Sequence, residues 1–226
     1  MALRLGVMAL RIGDEAPDFT AETTVGELAF HDWLGHHWGM LFSHPGDFTP
    51  VCTTELAAVA RLAPEFERRR TRVISLSADA LASHHQWSRE IAASEGIAPN
   101  FPMISDPELE IARAYDMLPA ADISAPGCGP ALDRVAGRSV VIVTPGHRVA
   151  AMLSYPLACG RNFHEVLRLL DALQLTDRHP VATPADWVPG EPVLASPVPA
   201  PGTRGLNRPG ERAVSKPYVR RIRQPL

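Results

Sequence analysis

A chain of 226 residues, 46% of them hydrophobic, is long enough for one full α/β domain with its own core and a smaller appendage. Its formal charge of −3 lacks the strongly basic profile of a nucleic-acid binder, and no stretch is apolar for long enough to read as a membrane span. Three cysteines make an odd and sparse set, which argues against a disulfide-stapled secreted scaffold and fits a reducing, cytoplasmic setting.

Residues 1–13 carry scattered apolar side chains with Arg4 and Arg11 but no continuous apolar core, so they do not read as a secretory leader. The pattern at 23–30 alternates enough for a short strand or hairpin arm, and 31–35 reads as a turn into an apolar strand at 38–42. Pro45, Gly46 and Asp47 mark the next turn. Thr49 and Pro50 then make a strong helix start. Thr is a preferred N-cap, and Pro is tolerated at the first helical position because that N–H has no helical partner.

This spacing predicts Cys52 at the third helical position, where a capping box would carry Glu or Gln. The Thr49 hydroxyl is expected to donate to its sulfur there. Unpaired backbone N–H groups and the positive end of the helix dipole favour an anion at the same place. A thiol so placed should ionise more readily than a free cysteine, whose pKa is about 8.5. The competing reading, a small buried hydrophobe, leaves the strand–turn–helix context without a use.

The helix continues with Leu56, Val59, Ala63 and Phe66 on one face, and Pro64 should kink or restart it. Arg68, Arg69 and Arg70 suit a solvated helix end. A buried strand is expected at 72–77, a helix at 80–93 with Trp87 and Ile91 inward, and a short strand at 101–104. Asp106 and Pro107 should open a helix that runs to Tyr115. A Pro- and Gly-rich loop at 119–130 follows. The strongest strand signal is at 139–143. It turns through 144–147 into a returning strand at 149–155, an antiparallel hairpin. Asn162, with Glu165 three residues later, should cap a last helix with Phe163, Val166, Leu167, Leu170 and Leu173 on its apolar face. Strands alternating with helices, plus one hairpin, predict an α/β architecture with a mixed sheet. Beyond Thr176 the composition changes, and ten of the 22 prolines lie there. Trp187 and Tyr218 are candidate anchors for packing over 177–193, while the composition from about 194 onward suits either order or disorder.

Pro45-x-x-x-Thr49-x-x-Cys52 resembles the active-site motif of the peroxiredoxins. The flanking Ser43-His44-Pro45 and Asp47-Phe48-Thr49-Pro50-Val51-Cys52-Thr53-Thr54-Glu55-Leu56 are similar to the one-cysteine branch, the peroxiredoxin-six type. The resemblance runs from about Gly13 to Trp187. It implies a thioredoxin-like fold over 1–176. It also implies a small, dimer-associated C-terminal peroxiredoxin domain over 177–226, and a homodimer or higher oligomer. The implied activity is reduction of hydrogen peroxide and alkyl hydroperoxides through a Cys52 sulfenic acid, regenerated by an external thiol, with no metal, haem or flavin.

Such a site needs a thiolate, a pocket for the two peroxide oxygens, and a cation for the charge that develops on the leaving oxygen. Thr49 can contact sulfur and peroxide, Pro45 can shield the sulfur, and N–H groups near Val51 and Cys52 can hold the oxygens. Arginine suits the third need because it stays charged and donates in a planar fork. Arg138, which opens the strand at 139–143, corresponds to the family's active-site arginine, and Arg161 to a second one; each alone would otherwise read as a surface ion pair. Glu55, one turn after Cys52, can hold both guanidinium groups. His44 can tune the pocket or serve as a structural histidine. The spacing of His36, His37, His44 and Cys52 matches no metal site of recognised geometry.

Cys128 and Cys159 match no family resolving position, but a two-cysteine cycle through either stays open. Two further readings also stay open: a thioredoxin-like disulfide oxidoreductase, disfavoured because the chain has no C-x-x-C, and a non-enzymatic holdase oligomer. Animal relatives of this branch that are assigned phospholipase activity carry a Gly-x-Ser-x-Gly motif. Here the corresponding stretch is Gly35-His36-His37-Trp38-Gly39, without serine, and Gly146 stands where the accompanying aspartate would be. His31 alone does not provide that chemistry, so no phospholipase activity is expected.

Overall fold

The structure, a computed structural model, describes residues 9–118, 136–195 and 219–225. The chain divides into two compact units, Met1–Phe163 and His164–Leu226. The predicted loop at 119–130, with Cys128, and the predicted anchor Tyr218 lie outside the described residues.

The first unit is built on a seven-stranded mixed sheet. Its strands are β1 (Thr20–Thr23), β2 (Gly26–Ala29), β3 (Trp38–Ser43), β4 (Thr71–Ser77), β5 (Met103–Ser105), β6 (Arg138–Val143) and β7 (Val149–Tyr155), in the spatial order β2-β1-β5-β4-β3-β6-β7. The parallel pairs β3·β4 and β4·β5 form the centre, and β6 joins β3 antiparallel. Every residue of β3 and of β6 is buried. That is why both read in the sequence as unbroken apolar runs: a strand covered on both faces has no polar alternation. The hairpin of β6 and β7 forms where the turn residues predict it.

The helices of this unit are α1 (Phe30–Leu34), α2 (Pro50–Arg61), α3 (Ala63–Arg68), α4 (Leu81–Glu95) and α5 (Glu110–Ala114). The short strand or hairpin arm expected at 23–30 is β2, the second arm of a tight hairpin with β1, whereas the predicted turn at 31–35 is the short helix α1. Phe30 and Leu34 lie one turn apart and both enter the core, which fixes helical periodicity over a stretch too short to declare it. Leu34 approaches β3 so closely that a Cβ on Gly39 would lie 2.9 Å from Leu34 Cδ1. Pro64 does restart the helix: α2 ends at Arg61, and α3 begins with Pro64 in its first turn.

The helix predicted from Asp106 starts later, at Glu110. Asp106 still caps it: its Oδ1 accepts from the Glu110 and Ile111 N–H groups at 2.9 and 3.3 Å, and its Oδ2 from that of Ala112 at 2.9 Å. Leu109, at φ 56°, occupies the junction.

The second unit contains most of α6 (Phe163–Arg178), which begins directly after Asn162, and a three-stranded antiparallel sheet of β8 (Val181–Ala182), β9 (Val193–Ala195) and β10 (Arg221–Ile222). Its core gathers Ala172, Leu175, Trp187 and Val193, with Val181 and Ile222 against them. The Trp187 indole N–H donates to the Glu191 carbonyl at 3.2 Å, so this large side chain is buried without an orphaned donor.

Candidate active site

The carboxyl ends of the parallel strands are where open α/β sheets place their chemistry, because connecting loops converge there on helix N-termini. Strand β3 ends at Ser43, the loop 44–49 follows, and α2 begins at Pro50 with Thr49 in extended conformation as its N-cap. The first backbone hydrogen bond of this helix runs from Thr53 N–H to the Thr49 carbonyl at 3.0 Å. The N–H groups of Val51 and Cys52 therefore have no helical acceptor. Cys52 is fully buried, and its thiol is free.

Sheet register brings the first arginine to this place. Phe42 pairs with Val140 across the antiparallel β3·β6 ladder, so the start of β6 lies beside the end of β3. The Ser43 hydroxyl locks that end, donating to the Gly137 carbonyl at 2.6 Å and accepting from the Ser139 N–H at 3.1 Å. Arg138 thus points its guanidinium at the helix terminus. Its Nη1 lies 3.3 Å from Cys52 Sγ and 2.7 Å from Glu55 Oε2, and its Nε donates to the Leu157 carbonyl at 2.6 Å.

Glu55 holds the second arginine as a fork. Arg161 Nε reaches Glu55 Oε1 at 3.0 Å and Nη2 reaches Oε2 at 2.8 Å, while the Arg161 backbone N–H also donates to Oε1 at 2.8 Å. Arg161 Nη1 donates to the Ser43 and Ser139 carbonyls at 2.7 and 2.9 Å. Its guanidinium lies 5.1 and 5.4 Å from the Phe42 and Phe163 ring centres. Every nitrogen of Arg161 is thereby engaged, whereas Arg138 Nη2 makes no hydrogen bond to the described residues. All three charged side chains are buried, with 4% or less of each exposed. One carboxylate against two guanidiniums leaves an excess positive charge beside the sulfur.

One expected contact is not made. The Thr49 hydroxyl donates to the Gly46 carbonyl at 3.0 Å rather than to Cys52 Sγ. The loop's own carbonyl is the stronger acceptor, and the arginine takes the place next to the sulfur. The hydroxyl oxygen keeps lone pairs free. Pro45 is half-buried in the same loop.

His44 is fully buried, and neither ring nitrogen has a hydrogen-bond partner among the described residues. Burial holds its pKa well below the ordinary imidazole range, and the nearby charges of His84, Arg161 and Arg138 push it the same way. Its ring packs 5.3 Å from that of Trp87. Cys159 is an exposed free thiol. Among the described residues, no group of three or more His, Cys, Asp or Glu side chains is placed to hold a metal ion.

Sequence reasoning missed the shell behind the loop. Asp47 is buried and receives hydrogen bonds from Ser83 and His84 on α4. The available signal was His84 three residues before Trp87, on the inward face of that helix.

A buried free cysteine in the first turn of a helix, faced by a fixed guanidinium at the edge of a thioredoxin-like sheet, defines a class: the thiol-based redox enzymes. Comparison with known proteins narrows it. Residues 12–152 match the AhpC/TSA family, and residues 172–202 match the C-terminal domain of 1-Cys peroxiredoxin. Peroxiredoxin-6 of Rattus norvegicus is 47% identical over 192 residues, spanning 83% of this chain and 84% of the relative. A 1-Cys peroxiredoxin of Dictyostelium discoideum is 41% identical over 189 residues, spanning 83% and 74%. The crystal structure of a cysteine-to-serine mutant of the peroxiredoxin 6 of Arenicola marina superposes with a TM-score of 0.81 at 37% identity, covering 96% of this chain and 99% of that one. The yeast mitochondrial 1-Cys peroxiredoxin gives 0.74 at 44% identity, covering 82% and 86%. The chain belongs to the peroxiredoxins of the AhpC/TSA family, in the one-cysteine, peroxiredoxin-6 branch, and is a thiol peroxidase.

Proposed function

We propose that Cys52 is the peroxide-reactive nucleophile, that Arg138 stabilises the charge it transfers, and that Glu55 and Arg161 hold Arg138 in place. The observation that carries this reading is the 3.3 Å contact between Arg138 Nη1 and Cys52 Sγ. A thiolate accepts such a charge-assisted bond better than a thiol does. The thiolate attacks one oxygen of hydrogen peroxide or an alkyl hydroperoxide. The O–O bond breaks as the S–O bond forms, and Cys52 becomes a sulfenic acid, oxidised by two electrons. The leaving oxygen takes a proton and departs as water or an alcohol. Arg138 Nη2, without a hydrogen-bond partner among the described residues, can meet the charge on that oxygen, and the Val51 and Cys52 N–H groups and the Thr49 hydroxyl can hold the peroxide in line. Pro45 bounds the pocket on its loop side.

One external thiol then condenses with the sulfenic acid, releasing water and leaving a mixed disulfide. A second thiol attacks that disulfide and restores Cys52. The yeast mitochondrial relative is described as resolved through glutathione and thioredoxin systems, and reductants of that class are proposed here. Cys159, an exposed thiol, and Cys128 are read as bystanders. The cysteine usage favours a cytoplasmic site of action. A domain division at 176/177 and a homodimer or higher oligomer are proposed from the family resemblance.

The Cys52→Ser variant tests the assignment. It is expected to lose peroxide consumption with every thiol donor, and retained turnover would refute it. Intact-mass analysis after one equivalent of peroxide is expected to show added oxygen. A loss of two hydrogens would instead identify a two-cysteine cycle.

A further inference from the structure

The loop that leads into Cys52 is held from behind by a buried ionic network. Phe48 in this loop has φ 54°, a left-handed conformation that a bulky side chain keeps only when its surroundings impose it. The residue before it supplies the constraint. The Asp47 N–H donates to Asp79 Oδ2 at 2.9 Å, and Asp79 is itself fixed by the Ser77 hydroxyl at 2.8 Å. The Asp47 carboxylate accepts from the Ser83 hydroxyl at 2.7 Å, and His84 Nδ1 lies 2.8 Å from Oδ2 and 3.1 Å from Oδ1.

The other ring nitrogen of His84 decides its charge. Nε2 lies 3.1 Å from the Ile104 carbonyl oxygen on β5, which can only accept a hydrogen bond. The carboxylate on the other side also accepts. A ring that donates from both nitrogens is an imidazolium, so the contacts describe a buried cation–anion pair. The groups that face His84 fit that charge. Asp47 approaches from the loop and Asp79 from the β4–α4 turn, while His44, 6.3 Å away at the end of β3, is kept neutral by burial. The charges of Arg161 and Arg138 act on His44. Burial lowers the His84 pKa, but the hydrogen bond and charge of Asp47, the Ile104 carbonyl and Asp79 outweigh it and raise the value above the ordinary imidazole one.

We propose that the His84–Asp47 pair is the positioning element for peroxide reduction: as imidazolium and carboxylate it anchors the loop bearing Pro45, Phe48 and Thr49 to α4 and β5, and loss of the His84 proton releases that loop. This rests on Cys52 being the peroxide-reactive thiol. The pair touches no reacting atom and acts through the loop alone. Because Cys52 is shut from solvent, an alkylating reagent reaches it only when the loop opens. Loosening the anchor should therefore move two rates in opposite directions.

The experiment compares the full-length wild type with His84→Gln and Asp47→Asn. The rate constant for hydrogen peroxide is expected to fall at least tenfold at pH 7 in both variants. Alkylation of Cys52 by iodoacetamide is expected to accelerate. In the wild type, the peroxide rate should decline as pH rises through the titration of His84, and this limb should be missing from His84→Gln. Nitrogen-15 spectra of the wild type should show both His84 ring nitrogens protonated at neutral pH. A neutral His84 there, or variants with the wild-type peroxide rate and alkaline limb, would overturn the proposal. If the variants do not fold, wild type alone decides: a peroxide rate that stays flat across the His84 titration refutes it. Peroxide consumption that persists in Cys52→Ser would defeat the underlying assignment instead, whatever His84 does.

Discussion

Glu55 is the residue on which the charged cluster balances. It offers four contacts to Arg138 and Arg161 inside a region that water does not reach, so its removal leaves two buried guanidiniums facing each other. Breaking a buried ion pair from one side costs about 3–5 kcal/mol, far above the worth of an exposed pair. Glu55→Ala is expected to lower unfolding stability by that amount in urea titrations, with peroxide turnover lost. His44 and His84 set opposite pH limits. His44 has a folded pKa below the unfolded value of about 6.5, so its contribution is present above that pH and lost as pH falls. His84 has a raised folded pKa, so its contribution is complete below about pH 6.5 and lost as pH rises through the folded value. Between pH 6.5 and 5, unfolding free energy is expected to fall in the wild type with a slope of at most about 1.4 kcal/mol per unit from His44. The His44→Leu variant should remove that part of the slope.

At the scale of elements, α1 lies close against the start of β3. Gly39 makes that approach possible, since an added Cβ would stand 2.9 Å from Leu34 Cδ1. The Gly39→Ala variant overpacks a strand in the centre of the sheet and is expected to cost about 1–3 kcal/mol in chemical denaturation. Trimming the obstructing side chain in Gly39→Ala/Leu34→Ala should make the two changes non-additive, because the second relieves the clash created by the first. Local signals placed most elements. Thr49-Pro50 located the start of α2, the apolar runs located β3 and β6, and Pro64 located the break before α3. They failed at 31–35 and at 106–109. There, burial of Phe30 and Leu34, or a carboxylate reaching four to six residues ahead, overrides what neighbours along the chain prefer.

Across the whole molecule, the same sheet presents its other histidines without a hydrolytic arrangement. His31 Nε2 lies 2.9 Å from the Ala16 carbonyl, and the ring stacks on His147 with centroids 4.1 Å apart. Asp18 Oδ2 lies 3.9 Å from His31 Nδ1, but with His37 in place of a serine and Gly146 in place of an aspartate the stretch supplies no nucleophile for a base to activate. The purified protein is expected to release no free fatty acid from phosphatidylcholine vesicles. Release that disappears in His31→Ala would contradict this. Among the described residues, no helix is long and apolar enough to cross a membrane.

The sequence by itself determined the strand, the turn and the helix start that put Cys52 in the first turn of α2, because N-cap preference, proline at the first position and continuous apolar runs act between neighbours. Its motif also pointed to the peroxiredoxins and to Arg138, Arg161 and Glu55 as partners. Only the tertiary structure decided what each side chain does with its hydrogen bonds. The Thr49 hydroxyl turned to Gly46, Arg138 reached the sulfur from 86 residues away, and His84, 37 residues beyond Asp47, became its counter-ion. Those outcomes depend on sheet register and on charges meeting where water is excluded, and neither is written in any short stretch of chain.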